Sequence, residues 1–178
     1  MSRRALRRLH GSTRLAFFRT RSMTAGFRIR RATLADLPGL LALEHSAFTT
    51  DHLSPRQYRH HLNNAGAEVL AACDGSGLLG KAVVFFRSGS RIARLYSIAV
   101  DHAARGRGIG EALLAAAETG ARARGAARMR LEVRQDNPGA MRLYERCGYV
   151  RFGMRPGYYE DGADAWRYEK NLGLSAEG

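Results

Sequence analysis

Val100-Asp-His-Ala-Ala-Arg105-Gly-Arg-Gly108-Ile-Gly110-Glu111 is the stretch on which the reading of this chain turns. The residues that lead into it, Leu95-Tyr-Ser-Ile-Ala-Val100, form strands readily. Those that follow repeat apolar side chains at helical spacing (Ile109, Ala112, Leu113, Ala116) until Gly125, a helix stop. The stretch is therefore a strand, a short loop and a helix N-terminus. Glycines let backbone N–H groups approach a ligand closely. The helix N-terminus adds a partial positive charge, and Arg105 and Arg107 add full ones. Together Arg105, Gly106, Arg107, Gly108, Ile109 and Gly110 predict a pyrophosphate cradle. A tight turn that needs flexible glycines is the plainer alternative, and three glycines with two arginines at such a junction favour the cradle. A dinucleotide fold would place G-x-G-x-x-G directly after the strand, with an acid about twenty residues on. Glu132 stands near that distance. However, the third glycine comes one residue early, and five residues separate Val100 from Gly106, which weakens the dinucleotide reading.

Outward from this junction the chain alternates between the two periodicities. Phe27-Arg-Ile-Arg-Arg31 alternates as a strand. Thr33 and Asp36 have the spacing of a capping box, followed by a helix with Leu37, Leu40, Leu41 and Leu43 on one side and Pro38 in its first turn. Ser54-Pro55 opens a second helix as cap and first residue. Glu68–Cys73 and Leu78–Phe86 are apolar strands joined by Asp74-Gly-Ser-Gly77, a hairpin signal. Arg94–Val100 and Met129–Val133 are further strands on either side of the Gly108–Arg124 helix. Asn137, Pro138 and Gly148 frame a helix over Asn137–Cys147. Tyr149–Met154 and Ala165–Lys170 close the pattern. The order β α α β β β α β α β β predicts an α/β fold, a mixed central sheet with helices on both faces.

Composition sets the outer limits. The 178 residues, 45% apolar and 25% charged, suit one domain with a sizeable core. Apolar runs such as Ala82–Phe86 fall far below the ~18 residues that span a bilayer. Two cysteines, Cys73 and Cys147, exclude a disulfide scaffold and a cysteine-rich zinc site, and read as reduced, buried thiols of a cytoplasmic protein. The net charge of +13 is uneven: seven arginines and no acid lie in residues 1–26, which leaves +6 for residues 27–178. That leader fits an organellar transit segment, a nucleic-acid-binding arm, or an inert tail or start-site artefact with translation beginning near Met23. The last reading is favoured. The expected organisation is leader 1–26, domain 27–172 and tail 173–178.

A second block narrows the ligand. Leu131-Glu-Val-Arg134 is followed by Asn137-Pro-Gly-Ala140-Met-Arg-Leu143-Tyr144 and then Gly148-Tyr149. With Arg105-Gly-Arg-Gly108-Ile-Gly110, this order resembles the Gcn5-related N-acetyltransferase (GNAT) superfamily, and in particular its bacterial ribosomal-protein alanine N-acetyltransferases. The late Tyr158-Tyr159 run is similar to that subgroup as well. The resemblance covers residues 27–172. It implies the GNAT fold, with the sheet splayed between the strands at Arg94–Val100 and Met129–Val133, and acetyl-CoA as cosubstrate without a metal. The pantetheine arm would bond the backbone of Ile98, Ala99 and Val100, and the pyrophosphate would rest on Arg105–Gly110.

The implied reaction is attack of a neutral amine on a thioester. At pH 7, deprotonation costs about 1 kcal/mol for an α-amine of pKa ~7.7–8.0 and about 4.6 kcal/mol for a lysine of pKa ~10.4. An α-amine therefore needs only a modest base. Glu132 matches the family's base position. The alternative is an ion pair with Arg130 and Arg134, which share its face by strand alternation and would lower its pKa. Tyr144 is the implied acid for the departing thiolate, with an aromatic core residue as the alternative. It lies seven residues after Asn137, so both sit on one helical face ~10.5 Å apart. Asn137 bonds pantetheine, caps its helix, or does both. Tyr158 and Tyr159 are substrate-holding residues or ordinary aromatics. Cys147, at a helix C-terminus, packs rather than attacks. His102 sits exposed in the loop, and His60 and His61 lack partners at metal spacing.

The function expected is an acetyl-CoA-dependent N-acetyltransferase acting on the N-terminus of a protein or peptide. The alternatives are acetylation of a small amine or a lysine, a noncatalytic acetyl-CoA sensor, and nucleic-acid or ribosome binding through the leader. The domain is read as lacking the aromatic-interleaved basic motifs of nucleic-acid binders, which places the last of these behind the others. Ser97, where asparagine is common, and the extra arginines of Arg151–Gly157 depart from the subgroup and bear on acceptor preference. The charge points weakly to acidic acceptors.

Overall fold

The computed structural model describes residues 26–173. The readings of the leader and tail lie outside these residues, apart from Gly26 and Gly173. Strand β1 (Arg28–Arg31) runs into a short 3-10 turn at Leu34–Asp36 and then helix α1 (Leu37–Ala47). The Thr33–Asp36 pairing caps this short turn rather than α1: the Thr33 N–H donates to Asp36 Oδ2 at 2.7 Å. Arg30 grips both Asp36 oxygens at 2.7 and 2.8 Å. Helix α2 (Pro55–Asn63) begins at a full capping box, with Ser54 Oγ accepting from the Gln57 N–H and Gln57 Oε1 accepting from the Ser54 N–H. Then follow β2 (Ala67–Asp74), β3 (Gly77–Phe86), β4 (Ile92–Val100), α3 (Ile109–Ala123), β5 (Arg128–Arg134), α4 (Pro138–Arg146), β6 (Val150–Arg155) and β7 (Ala165–Asn171). The element order is the one the sequence pattern predicts.

The seven strands form one sheet in the order β1-β2-β3-β4-β5-β7-β6. All pairs are antiparallel except β4 with β5. That parallel pairing is brief, running from Ile92 opposite Arg128 to Leu95 opposite Leu131, after which the two strands part. The cause lies on the other edge of β4. Val83 pairs with Ser97 but Val84 pairs with Leu95, so Tyr96 is an extra residue in the ladder. Such a bulge bends and twists its strand. Here it falls one residue beyond the last β4–β5 pair, and the expected splay opens there.

Two cores fill the layers. The larger joins α3 to the sheet through Ile109, Leu113, Leu114 and Ala117 against Leu95, Met129 and Leu131. Each buried Leu or Ile contributes roughly 1.5–3 kcal/mol. Gly80 allows the close approach: a Cβ there would sit 2.9 Å from the Ala99 carbonyl oxygen and 3.1 Å from Ile109 and Leu113. The smaller core lies on the opposite face, where Leu37, Leu40 and Tyr58 of α1 and α2 meet Val69 and Val83. Within the described residues no helix is long and apolar enough to cross a membrane.

Candidate active site

The loop between β4 and α3 begins with a second 3-10 turn, His102–Ala104, which Asp101 caps by accepting from the Ala103 N–H. His102 is exposed there, as expected. Gly106 and Gly108 both adopt left-handed conformations, with φ of 77° and 73°. A Cβ at either would meet nothing within 4 Å, so the backbone borders open space. Gly108 is the N-cap of α3, whose first-turn N–H groups start at Ile109. Arg105 is exposed beside them. Arg107 leans back onto the β2–β3 hairpin, with two nitrogens 3.2 Å from Asp74 Oδ2. The residues present fit a pair of phosphate groups.

A cavity of about 420 Å³ opens where β4 and β5 separate, within the ~300–1,000 Å³ typical of ligand sites. Leu95 to Ile98 form one wall and Glu132 to Arg134 the other. Asn137, Ala140 and Tyr144 of α4 close one end, the 48–51 loop after α1 forms the rim, and Tyr158 and Tyr159 reach in from the β6–β7 loop. Of the predicted site residues, Ile98, Glu132, Asn137, Tyr144, Tyr158 and Tyr159 thus meet in one cavity. Ala99 and Val100 continue β4 past its lining. On that stretch β4 pairs with β3 on one edge only, so its other backbone edge has no strand partner.

Glu132 corrects one expectation. Its same-face neighbours Arg130 and Arg134 do not pair with it: Arg130 bonds Glu169, and Arg134 bonds Asp136 and Asp161. Three arginines distant in sequence take their place. Arg94 Nε lies 3.1 Å away, Arg167 Nε 3.8 Å and a terminal nitrogen of Arg155 4.0 Å. Arg94 also donates to the Tyr158 hydroxyl. Tyr158 and Tyr159 meet edge to face, with centroids 5.0 Å apart.

Tyr144 is buried, and that burial pushes its phenol well above the usual value, so it holds its proton throughout the neutral range. Asn137 Oδ1 accepts from the Ala140 N–H at 3.0 Å, a helix cap, while Asn137 also faces the cavity. Both expected roles are geometrically compatible.

The sequence pattern missed the polar cluster beneath the rim. Lys81 on β3 and Glu44 on α1 are fully buried and bonded to each other. Glu44 also accepts from the Tyr58 hydroxyl at 2.6 Å and from the Leu53 N–H at 2.9 Å, and Lys81 donates to Ser97 Oγ at 2.9 Å. Burial draws the Lys81 ammonium below its ordinary pKa, and Glu44 opposes that shift. Glu44, Ser97 and Phe48 all line the cavity, so the cluster ties the rim to the sheet. A signal was present: Lys81 is the lone charge in an otherwise apolar strand.

Cys73 is buried as expected, whereas Cys147 is only half-buried, because it follows the last turn of α4. Burial raises both thiols above their usual value, which leaves neither as a thiolate nucleophile. Among the described residues no group of His, Cys, Asp or Glu could hold a metal.

Residues 37–149 match the acetyltransferase (GNAT) family. The chain belongs to this family. It is 35% identical over 150 residues to the N-alpha-acetyltransferase RimI of Mycobacterium tuberculosis, covering 79% of this chain and 90% of that protein. An uncharacterized Mycobacterium leprae protein is 47% identical over 73 residues, a match that spans only 20% of its length. The crystal structure of the ribosomal-protein-S18-alanine N-acetyltransferase from Escherichia coli superimposes with a TM-score of 0.74 at 26% identity, over 85% of this chain and 97% of that one. The fold is accordingly the GNAT fold, and the enzyme is an N-acetyltransferase.

Proposed function

We propose that this enzyme transfers acetyl from acetyl-CoA to the N-terminal α-amine of a protein or peptide. The observation that carries the reading is the parting of β4 and β5 after Leu95 and Leu131, with Glu132 and Tyr144 on the walls of the cavity that results. The kinship with an N-alpha-acetyltransferase supports the choice of acceptor. Bound acetyl-CoA supplies an activated thioester. The left-handed glycines 106 and 108, the first turn of α3 and Arg105 would hold its phosphates, and the free edge of β4 from Ile98 to Val100 would bond its amide-bearing arm.

The remaining work falls to this chain's side chains. Glu132 accepts a proton from the acceptor amine, directly or through a water, as that nitrogen bonds to the acetyl carbon. An α-amine makes this a modest demand. Tyr144 donates a proton to the sulfur as its bond to carbon breaks. Counted across the whole reaction, one proton passes from nitrogen to sulfur. Tyr158, Tyr159 and the 48–51 rim orient the first residues of the acceptor.

Incubation with acetyl-CoA and a panel of peptides tests the reading, with thiol release and the acetylated position read by mass. The expected product carries acetyl on the α-nitrogen. Acetylation confined to lysine side chains or to small amines overturns it. Glu132→Gln should lose most activity at low pH, where the amine most needs a base, and a uniform loss across pH would assign Glu132 to ion pairing instead.

A further inference from the structure

Strand pairing gathers arginines that lie far apart in the sequence. Opposed residues of an antiparallel pair share a face. Arg130 faces Glu169, Glu132 faces Arg167, and Arg155 faces Ala165 beside it. Arg128 belongs to the same side of β5, and Arg94 joins it from β4 opposite Arg130. The other side of β5 and β7 carries Leu131, Val133, Trp166 and Tyr168, packed in the core with Tyr144 and Met141 of α4. Helices α1 and α2 lie over β2, β3 and β4 instead. Six guanidinium groups thus share a helix-free face; Arg134 is taken by Asp136 and Asp161, and the other five surround two carboxylates. Glu132 contacts Arg94, Arg155 and Arg167, while Glu169 contacts Arg128 and Arg130. Each guanidinium has five donors, so the pairs leave most of them unused, and the buried Nε of Arg167 has no hydrogen-bond partner.

This face is continuous with the cavity. Glu132 is both a wall of the cavity and the centre of the cluster. Tyr158, on the same wall, is bonded by Arg94 and lies under Arg155 at 5.7 Å. A chain whose N-terminus sits between Glu132 and Tyr144 advances ~3.3 Å per residue, so its third to eighth residues can cross Tyr158 onto the arginine face.

We propose that this face holds acidic residues of the acceptor just downstream of the acetylated N-terminus, making the enzyme selective for acidic acceptor segments. The proposal rests on the N-terminal acetylation reading. Charge complementarity gives the sign of the partner, and continuity with the cavity makes that partner the acceptor. Single-stranded nucleic acid shares the sign, but it needs free aromatic faces for its bases. Here the ring of Phe152 is flanked by Arg130 and Arg167 at 5.0 and 4.6 Å, and Trp166 lies on the opposite side of β7.

The test uses the full chain and alanine-starting peptides that share their first two residues and differ at positions three to eight: Asp/Glu-rich, Ser/Gly-rich or Lys/Arg-rich. At low salt, kcat/KM is expected to favour acidic over basic peptides by about tenfold or more, mainly through KM. The ratio should shrink at high salt, as an exposed charge interaction does. Arg128→Glu together with Arg130→Glu, neither of which touches Glu132, should narrow the acidic-to-neutral ratio at least threefold. Equal or inverted preference with the neutral peptide still acetylated overturns this inference and leaves the α-amine reading standing. No α-acetylation of any peptide overturns that reading, and this inference with it. A labelled oligoribonucleotide that loses binding in the double variant while the peptide ratio stays flat gives the face to nucleic acid and also overturns it.

Discussion

β2 and β5 are both internal strands of one sheet, yet β2 buries seven successive side chains and β5 buries every second one. The difference follows from cover. β2 is sandwiched between α2 on one face and α3 on the other, whereas β5 and β7 have the α4-side core on one face and the arginine face on the other. The same contrast governs the charges. Lys81 on β3 and Glu44 on α1 are almost wholly buried between the two elements, and each depends on the other and on fixed hydrogen bonds. Glu132, beyond the split, is surrounded by three arginines that remain 29–51% exposed. One half of the sheet is covered on both faces and keeps its charges buried. The other half turns its arginines to water and Glu132 to the cavity.

The largest expected effect tests that contrast directly. Lys81→Met leaves a buried carboxylate without its cation and should cost about 3–5 kcal/mol in urea unfolding. Glu132→Gln removes a carboxylate that is itself only 8% exposed, but its arginine partners keep their water, so the loss should be smaller, about 1–2 kcal/mol. Equal losses would erase the distinction between the halves. Next is Tyr144→Phe, expected to lower turnover about 10²-fold, with little change in stability or in affinity for acetyl-CoA. Unchanged turnover would remove its proton-donor role and leave it an aromatic of the core.

The two capped helices sharpen the comparison further. Ser54→Ala and Asn137→Ala should each cost about 1 kcal/mol of stability. Only the second should also raise KM, because only Asn137 lines the cavity. Matching kinetics in the two variants would reduce Asn137 to a cap. The smallest effect concerns the closed half's outer edge. The Arg30 guanidinium, aided by the Thr33 N–H, holds the Asp36 carboxyl down at about 2. A carboxyl lowered on folding contributes stability above its unfolded value of ~3.9 and loses it as pH falls towards 2. Arg30→Ala should therefore cost about 0.5–1 kcal/mol at pH 7 and almost nothing below pH 2. A loss independent of pH would point to packing instead.

Local chemistry was legible because it is local. Gly106 and Gly108 mark left-handed turns, Ser54 and Asn137 cap helices, and Asn137 and Tyr144 share a helical face wherever that helix packs. The arginine partners of Glu132 were not legible. Alternation along β5 correctly placed Arg130 and Arg134 on its face, but residues two apart on a strand can both be claimed by the neighbouring strand, and Glu169 on β7 claims Arg130. Glu44 was hidden for a similar reason. It falls within a leucine-rich helical stripe, and its partner Lys81 is 37 residues away.

Periodicity, caps and glycines in the sequence by themselves determined the elements, their order and the loop suited to phosphates, because each depends on backbone preferences a few residues long. Only the tertiary structure decided which charges meet, since strand order and the extra residue at Tyr96 set the register between distant segments. That register sealed Lys81 against Glu44, opened β4 from β5, and turned scattered arginines into a single face.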